Sequence, residues 1–203
     1  MIRASSDQKA AERLAESLVT RAIPLSIEER TKVIPLRCDL SRRDLGLQPR
    51  RLSSLLGRLT CCIHSAWAVN FNIPVQSFEN QHIKATHNLI QLCLSVNTPK
   101  PARFFFCSSV SAAGGTPRPG TVSEGPVNAP AYAQGTGYAR SKYVAEHITL
   151  NAAKNYGAPT GVLRIGQLVG DTKAGVWNAT EGIPLMIRTA ATIGCLPALD
   201  EVG

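Results

Sequence analysis

The sequence has few aromatic residues, no long hydrophobic run and no dense block of one charge. Phe, Trp and Tyr account for 5% of the 203 residues, so we expect a core built from Leu, Val, Ile and Ala. A membrane span needs about 18 or more consecutive apolar residues, and no such stretch occurs. With 44% hydrophobic and 18% charged residues, disorder, a coiled coil and collagen are excluded. The length suits one folded domain, or one domain and the beginning of a second.

The formal net charge of +8 raises the question of nucleic-acid binding. However, the basic residues are scattered among acidic ones, and the densest groups are the pairs Arg42-Arg43 and Arg50-Arg51. A phosphate-bearing small ligand accounts for such an excess equally well. We therefore expect no nucleic-acid partner.

The six cysteines and four histidines show no metal-binding or disulfide pattern. No Cys-x-x-Cys pair occurs, and the histidines show no ligand spacing with one another or with the cysteines. We therefore expect reduced core cysteines and no metal site. The first seven residues run directly into a charged segment and do not have the form of a secretory signal. These observations predict a cytoplasmic protein without a membrane partner.

Hydrophobic periodicity predicts alternating strands and helices. Strands are predicted over residues 33–38, 61–64, 103–107 and 160–168. Helices are predicted between Ser6 and Pro24, in a short capped segment from Ser26, and over residues 49–59, 75–96, 137–156 and 184–193. A loop rich in Gly, Pro and Ala covers residues 112–135, a length typical of functional or mobile loops. Because several strands are apolar throughout, we predict an α/β fold with a parallel sheet covered on both faces.

Ligands of such sheets gather at the carboxyl ends of the strands. The residues at those ends are Asp39, His64-Ser65-Ala66, Ser108-Ser109 and Ile165-Gly166-Gln167. We therefore expect the chemistry of this chain among them and among side chains from the following helices.

Tyr138 and Lys142 are four residues apart on a predicted helix, so their side chains share a face. A neighbouring ammonium lowers the pKa of a tyrosine and makes it a proton donor or acceptor near neutrality. Ser109 could hydrogen-bond a substrate carbonyl oxygen, and a nicotinamide would have to supply the hydride. Taken alone, Tyr-x-x-x-Lys is a weak motif, and a surface lysine near a partly buried tyrosine is the structural alternative.

Several segments together carry a family resemblance. They include Ile63 to Phe71 (IHSAWAVNF), Phe106 to Ser111 (FCSSVS), Gly137 to Glu146 (GYARSKYVAE), Arg164 to Gln167 (RIGQ), and Trp177-Asn178 with Pro184 to Arg188 (PLMIR). With them the chain resembles the extended short-chain dehydrogenase/reductases of the male-sterility-type NAD-binding family. It is most similar to the thioester reductase domains of fungal nonribosomal peptide and polyketide synthetases, which are relatives of carboxylic acid reductases.

This resemblance implies a Rossmann-like, doubly wound parallel sheet. Residues 1–168 would form an NADP-binding domain, and residues 169–203 would begin a small substrate-binding region. Tyr138 would be the proton donor, and Lys142 would lower the tyrosine pKa and hold the nicotinamide ribose. Ser109 would polarise the substrate carbonyl, with Ser108 and Ser111 as alternatives.

The resemblance also implies roles at the cofactor for further residues. Asp39 and Leu40 would border the adenine, Ser65 and Ala66 would line the cofactor, Ile165, Gly166 and Gln167 would contact the nicotinamide end, and Arg3 would bind the 2′-phosphate of NADP(H). Two of these residues have structural alternatives: Asp39 as a helix cap and Arg3 as a frayed terminal residue.

The family's first strand, Gly-rich turn and helix have no counterpart here, since no glycine precedes Gly46. We therefore expect the first βα unit to be lacking and the chain to be a fragment. The implied activity is NADPH-dependent reduction of a phosphopantetheine-tethered acyl thioester, presented by a carrier domain, to an aldehyde. Two alternatives stay open: a non-catalytic remnant of such a reductase, and another extended short-chain dehydrogenase acting on a small carbonyl or hydroxyl substrate.

Overall fold

The computed structural model describes residues 1–117 and 119–198. Five strands are present in this part of the chain: β1 (Ile2–Arg3), β2 (Arg37–Cys38), β3 (Cys61–His64), β4 (Arg103–Ser109) and β5 (Thr160–Ile165). The α-helices are α1 (Asp7–Thr20), α2 (Ile27–Lys32), α3 (Pro49–Leu56), α4 (Lys84–Leu94), α5 (Gly137–Tyr156) and α6 (Gly182–Ile193). No helix in the described ranges is both long and apolar enough to cross a bilayer.

The chain divides into two compact units. The first consists of Met1–Ala10 and Leu36–Gly166, and the second of Ala11–Pro35 and the residues from Gln167 onward. The five strands and helices α3 to α5 therefore belong to the first unit, whereas α2 and α6 belong to the second.

All strand pairings in the first unit are parallel, which confirms the predicted α/β class. β1 pairs with β2 in a two-stranded sheet, and β3, β4 and β5 form a three-stranded sheet in that order. In the larger sheet His64 is in register with Phe106, and Ser109 is in register with Ile165. The carboxyl ends of β3, β4 and β5 consequently meet at one edge.

The core lies between the three-stranded sheet and helices α4 and α5. Phe104 and Phe106 alternate along β4 and are almost fully buried, because every second residue of a strand faces the same side. α4 contributes Leu89, Ile90 and Cys93 to the same cluster. This packing holds the first turns of α5 against the end of β4.

The predicted bounds of several elements shift by two or three residues, and two predicted strands are shorter than expected. The strand predicted over residues 33–38 is reduced to Arg37–Cys38, because Val33 is the C-cap of α2 and Pro35 has no amide to donate. The strand predicted to end at residue 168 ends at Ile165, at the junction between the two units.

The helix predicted over residues 75–96 consists of three pieces. A 3₁₀ turn (Val75–Phe78) and a π-helical turn (Glu79–Ile83) precede α4. The wider π turn accompanies the burial of Phe78 and His82, whose ring centroids are 5.6 Å apart. The sequence periodicity did not distinguish these turns from regular α-helix.

The predicted helix caps are confirmed. The Ser6 hydroxyl accepts a hydrogen bond from the Lys9 amide at 3.1 Å at the start of α1. Ser26 and Glu29 form a reciprocal capping box at α2, with distances of 2.7 and 3.1 Å.

Candidate active site

Three predicted catalytic side chains come together at the carboxyl edge of the three-stranded sheet. Ser109 is the last residue of β4, and Tyr138 and Lys142 lie in the first two turns of α5. The Thr136 hydroxyl caps α5 by accepting a hydrogen bond from the Ala139 amide at 3.2 Å. The start of this helix is therefore fixed directly before Tyr138.

The first residue of α5 has to be small. A Cβ on Gly137 would lie 2.2 Å from the carbonyl oxygen of Ile73, and 2.6 and 2.7 Å from backbone atoms of Pro74 and Val75. No side chain fits at that distance from backbone atoms. Gly137 therefore allows the helix to approach the 73–75 segment and so sets the position of Tyr138.

The phenol of Tyr138 is buried at the end of β4. Its ring lies 5.0 Å from the ring of Phe71 and 6.4 Å from that of Phe78. Burial raises the pKa of Tyr138, and the nearby hydroxyl of Ser109 partly opposes this increase. Tyr138 is thus kept protonated at neutral pH and can donate a proton.

The ammonium of Lys142 is also buried. Its Nζ donates a hydrogen bond to the backbone carbonyl of Cys107 at 2.7 Å, and the side chain is only 3% exposed. Burial lowers the pKa of Lys142 to about 8, although the side chains of Cys107 and Glu146 act in the opposite direction.

The expectation that Lys142 lowers the pKa of Tyr138 is corrected by the structure. Lys142 Nζ is 5.7 Å from the centroid of the tyrosine ring and is hydrogen-bonded to a carbonyl. Burial is the largest influence on the phenol, so its pKa is raised instead.

The three candidate serines have different partners. The Ser108 hydroxyl is buried and donates to Oε1 of Glu146. Ser111 donates from its amide at 3.2 Å and from its hydroxyl at 3.0 Å to Oγ of Ser109. Among these three serines, Ser109 is the one whose hydroxyl influences the pKa of Tyr138 in the described part of the chain.

A buried ion pair that the sequence analysis missed lies next to these serines. Arg164 Nη2 is 2.7 Å from Oε2 of Glu146, which is 1% exposed. The same Nη2 donates to the Gly125 carbonyl at 3.0 Å and so joins the long loop to β5. Glu146 and Arg164 both lie in segments that carried the family resemblance, but their pairing required the tertiary structure.

Aromatic rings surround the buried lysine. Trp67 and Phe106 place their ring centroids 4.4 and 5.0 Å from Lys142 Nζ. His64 and His82 lie 5.8 and 5.0 Å from the Trp67 ring. The sequence predicted no role for Trp67 or His82, and it placed His64 only among the residues at the strand ends, although Trp67 and His64 stand in the IHSAWAVNF segment.

Both histidines are buried and incompletely hydrogen-bonded. Nε2 of His64 and Nδ1 of His82 have no hydrogen-bond partner in the described part of the chain. Burial lowers the pKa of His64 to about 4, and it also lowers the pKa of His82. Both rings are therefore neutral at physiological pH.

A cavity of about 400 Å³ lies beside Tyr138. It is lined by residues 71–76 and by Gly135, Thr136, Gly137 and Arg140 at the start of α5. Phe71 belongs to this lining and contacts the Tyr138 ring, so the cavity adjoins the candidate proton donor.

Comparison with known proteins identifies the family. The NAD-binding family described as "Male sterility protein" matches residues 1–202. The chain belongs to this family. A non-ribosomal peptide synthetase, ascB, from Acremonium egyptiacum is 37% identical over 187 residues, covering 90% of this chain and 17% of that protein. A carboxylic acid reductase from Neurospora crassa is 38% identical over 170 residues, covering 81% of this chain and 15% of the reductase.

The fold is also that of a solved reductase domain. The terminal R domain from the myxalamid PKS-NRPS biosynthetic pathway superposes with a TM-score of 0.84 at 23% identity, over 98% of this chain and 49% of that domain. This similarity confirms the Rossmann-like fold expected from the sequence. This member of the male sterility family therefore spans about half of that R domain and less than a fifth of the two longer relatives.

In this male sterility family member, the predicted adenine-side residues lie at the ends of β1 and β2. Arg3 is the last residue of β1, and Asp39 directly follows β2. Asp39 accepts hydrogen bonds from the hydroxyl and amide of Ser41 at 2.6 and 3.1 Å. Its pKa is lowered chiefly by the Ser41 hydroxyl and slightly by the charge of Arg3. Leu40 is half-buried and packs against the core.

The other predicted cofactor-binding residues divide between the two units. Ser65 and Ala66, predicted to line the cofactor, are exposed directly after β3. Of the predicted nicotinamide-end residues, Ile165 is the last residue of β5 and Gly166 ends the first unit. Gln167 is the first residue of the second unit and donates to the Leu168 carbonyl at 2.9 Å.

The residues at the sheet edge suit a nicotinamide and its ribose. Lys142 Nζ uses one hydrogen bond on Cys107, which leaves ammonium hydrogens for ribose hydroxyls. His64 is the last residue of β3 and lies at the same carboxyl edge of the sheet, and its Nε2 has no hydrogen-bond partner among the described residues. No group of three or more potential metal ligands occurs among the residues that the structure describes.

Proposed function

We propose that this chain carries the reaction site of an NADPH-dependent thioester reductase. Its substrate would be an acyl group bound to the phosphopantetheine thiol of a carrier domain, and its product an aldehyde. The observation that supports this proposal most directly is the convergence of Ser109, Tyr138 and Lys142 at the carboxyl edge of the sheet. The names of the matched relatives, a non-ribosomal peptide synthetase and a carboxylic acid reductase, point to the same chemistry.

Ser109 and Tyr138 would act on the carbonyl oxygen of the thioester. A reduced nicotinamide, when bound, supplies the hydride. As negative charge grows on the carbonyl oxygen, the Ser109 hydroxyl donates a hydrogen bond to it and Tyr138 donates a proton, which gives a hemithioacetal. The C–S bond of the hemithioacetal then breaks, and the hydroxyl proton leaves with the carrier thiol, so that the aldehyde remains. The raised pKa of Tyr138 suits proton donation to the substrate, since the phenol stays protonated until the substrate carbonyl oxygen becomes basic.

Lys142 would hold the ribose and supply positive charge beside the phenol. With a pKa near 8, the Lys142 side chain is mostly an ammonium at neutral pH. That charge lies 5.7 Å from the centroid of the Tyr138 ring. Ser108 would have a structural role instead, because its hydroxyl is already used by Glu146.

The remaining predicted residues would bind the rest of the cofactor. Arg3 and Asp39 would contact the adenosine end, with the Arg3 guanidinium selecting the 2′-phosphate of NADPH over NADH. We assign cofactor binding to residues 1–168 and substrate binding to residues 169–203, of which the last five lie outside the described residues. The cavity beside Tyr138 would take part of the pantetheine arm or the acyl chain.

Cofactor binding and turnover test this function together. The purified chain should bind NADPH saturably in a fluorescence titration and should oxidise it in the presence of an acyl-pantetheine thioester. Tyr138→Phe should keep binding and lose roughly 10²–10⁴-fold in turnover, as expected for removal of a general acid. Tyr156→Phe is the matched control, because Tyr156 ends the same helix and is 72% exposed. Equal turnover by the two variants would contradict the assignment of Tyr138.

The cofactor preference has its own test. Arg3→Leu should weaken NADPH binding while leaving NADH binding unchanged, because only NADPH carries the 2′-phosphate. No NADPH binding by the unmodified chain would favour the alternative of a non-catalytic remnant. Turnover of small ketones but not of thioesters would instead favour another extended short-chain dehydrogenase.

A further inference from the structure

The buried Lys142 ammonium is held mainly by aromatic rings. In the described residues no carboxylate lies within ion-pair distance of its Nζ, and Glu146, the acidic group that influences it, is paired with Arg164. Nζ has one hydrogen bond, to the carbonyl of Cys107. The faces of Trp67 and Phe106 lie 4.4 and 5.0 Å away, which is within the range of a cation–π interaction.

Trp67 makes the shorter of these two cation–π contacts, and it is also hydrogen-bonded to α5, the helix that carries Lys142. Its indole Nε1 donates to the hydroxyl of Ser141 at 3.1 Å. Ser141 in turn donates to the backbone carbonyl of Tyr138 at 2.7 Å and is fully buried. One indole therefore contacts the lysine ammonium through its face and the tyrosine turn of α5 through its edge.

We propose that Trp67 is a positioning residue that stabilises Lys142 as an ammonium and fixes the turn of α5 carrying Tyr138 and Lys142. Its relevance to catalysis rests on the proposed function, but its effect on Lys142 does not. The indole face is the best of the aromatic rings for binding a cation. Without it, the buried ammonium would keep only a carbonyl and two weaker rings, so desolvation would lower its pKa further.

Other titratable groups near this site have to be separated from Lys142. They are Cys107 on β4, Tyr138 and Glu146 on α5, His64 at the end of β3, and His82 in the π turn. Both histidines titrate below their ordinary pKa of 6.5, and the phenol titrates above 10. A transition near pH 8 that disappears in Lys142→Met therefore belongs to Lys142.

The test measures the pKa of Lys142 directly by NMR. The chain is labelled with ¹³C at lysine Cε, and the Lys142 signal is identified by its loss in Lys142→Met. In Trp67→Leu we expect the pKa of Lys142 to fall by about one unit, the size expected from losing one desolvated cation–π contact. Trp177→Leu is the control, because Trp177 is the other tryptophan and is bonded to Glu181 in the second unit. An unchanged Lys142 pKa in Trp67→Leu would overturn the proposal.

Two milder variants separate the contacts of Trp67. Trp67→Phe keeps a ring face and loses the indole N–H, so it should shift the pKa of Lys142 less than Trp67→Leu. Ser141→Ala removes the acceptor of the indole N–H and the bond from the Ser141 hydroxyl to the Tyr138 carbonyl, but it keeps the indole face over Lys142 Nζ. It should therefore leave the pKa of Lys142 unchanged while lowering turnover. If Trp67→Leu does not fold, Trp67→Phe decides the question, and a Lys142 pKa equal to that of the unmodified chain overturns the proposal.

The NMR measurement needs neither cofactor nor substrate. A chain without turnover whose Lys142 pKa falls in Trp67→Leu would contradict the proposed function and support the role of Trp67. A chain with turnover whose Lys142 pKa does not change in Trp67→Leu would support the proposed function and contradict the role of Trp67. A merely structural tryptophan would lower the melting temperature in Trp67→Leu without moving the pKa of Lys142.

Discussion

The two units of this chain differ most in the burial of polar side chains. Ten polar or charged residues are buried in the first unit, among them Lys142, Glu146 and His64. In the described part of the second unit no residue is buried: every residue of α2 is exposed, and the residues of α6 are exposed or half-buried. In the described part of the chain, the groups whose pKa is displaced mainly by burial, among them Lys142, Tyr138 and His64, lie in the first unit.

The largest expected effect is the loss of the buried carboxylate. Glu146→Ala should lower the free energy of unfolding by about 3–5 kcal/mol, because Arg164 would remain largely buried without its partner. Glu28→Ala is the matched variant in the second unit, where Glu28 pairs with Lys32 at 2.9 Å on the surface. It should change stability by no more than about 0.5 kcal/mol. Equal losses in urea unfolding would show that burial does not distinguish the two pairs.

The next effect is a dependence of stability on pH that comes from Lys142. Its pKa in the folded chain, about 8, lies below the ordinary value of 10.5. Between these values the unfolded chain binds a proton that the folded chain does not, so stability rises with pH across this window. The full rise is about 3 kcal/mol at 1.36 kcal/mol per pKa unit.

Lys142→Met removes this contribution. The free energy of unfolding of the unmodified chain should therefore rise relative to that of Lys142→Met between pH 8 and pH 10.5. Urea unfolding of both proteins at several pH values measures this rise. Curves that stay parallel across this range would contradict the lowered pKa.

The smallest expected effect compares the first residues of two helices. Gly137→Ala should cost about 1–3 kcal/mol, because its Cβ would overlap backbone atoms of the 73–75 segment. Gly182→Ala, at the start of α6, meets no atom within 4 Å and should gain about 0.4–1 kcal/mol. Thermal unfolding should show a lower melting temperature for Gly137→Ala and a higher one for Gly182→Ala. If Gly137→Ala is stabilising instead, the 73–75 segment can move away from the added Cβ.

The elements that follow from local patterns were predictable. α5 was predicted from its apolar spacing with the bounds that it has, and the caps at Ser6 and Ser26 follow from side chains that bond to nearby amides. The π turn at Glu79–Ile83 was not predictable, because Phe78 and His82 are buried by ring contacts with each other and with residues distant in sequence. His82 contacts Trp67, and Phe78 contacts Tyr138.

The side chains of the candidate site could be predicted from the sequence, but the direction of their pKa shifts could not. Tyr138 and Lys142 were predicted to share a face because of their four-residue spacing, and Ser109 because it ends a strand. The direction of the Tyr138 pKa shift was wrong in the sequence analysis, since that analysis considered the nearby charge and not the degree of burial. The sequence also could not show that the Ser108 hydroxyl is bound by Glu146, 38 residues further along the chain.

The sequence by itself determined the order of strands and helices, the family, and the residues that stand at the carboxyl ends of the strands. Only the tertiary structure decided that the Trp67 ring covers the Lys142 ammonium and that Glu146 pairs with Arg164. It also decided that burial sets the direction of the Tyr138 pKa shift. The physical reason is that spacing along the chain fixes which residues share a face, whereas desolvation and pairing depend on residues brought together from distant segments.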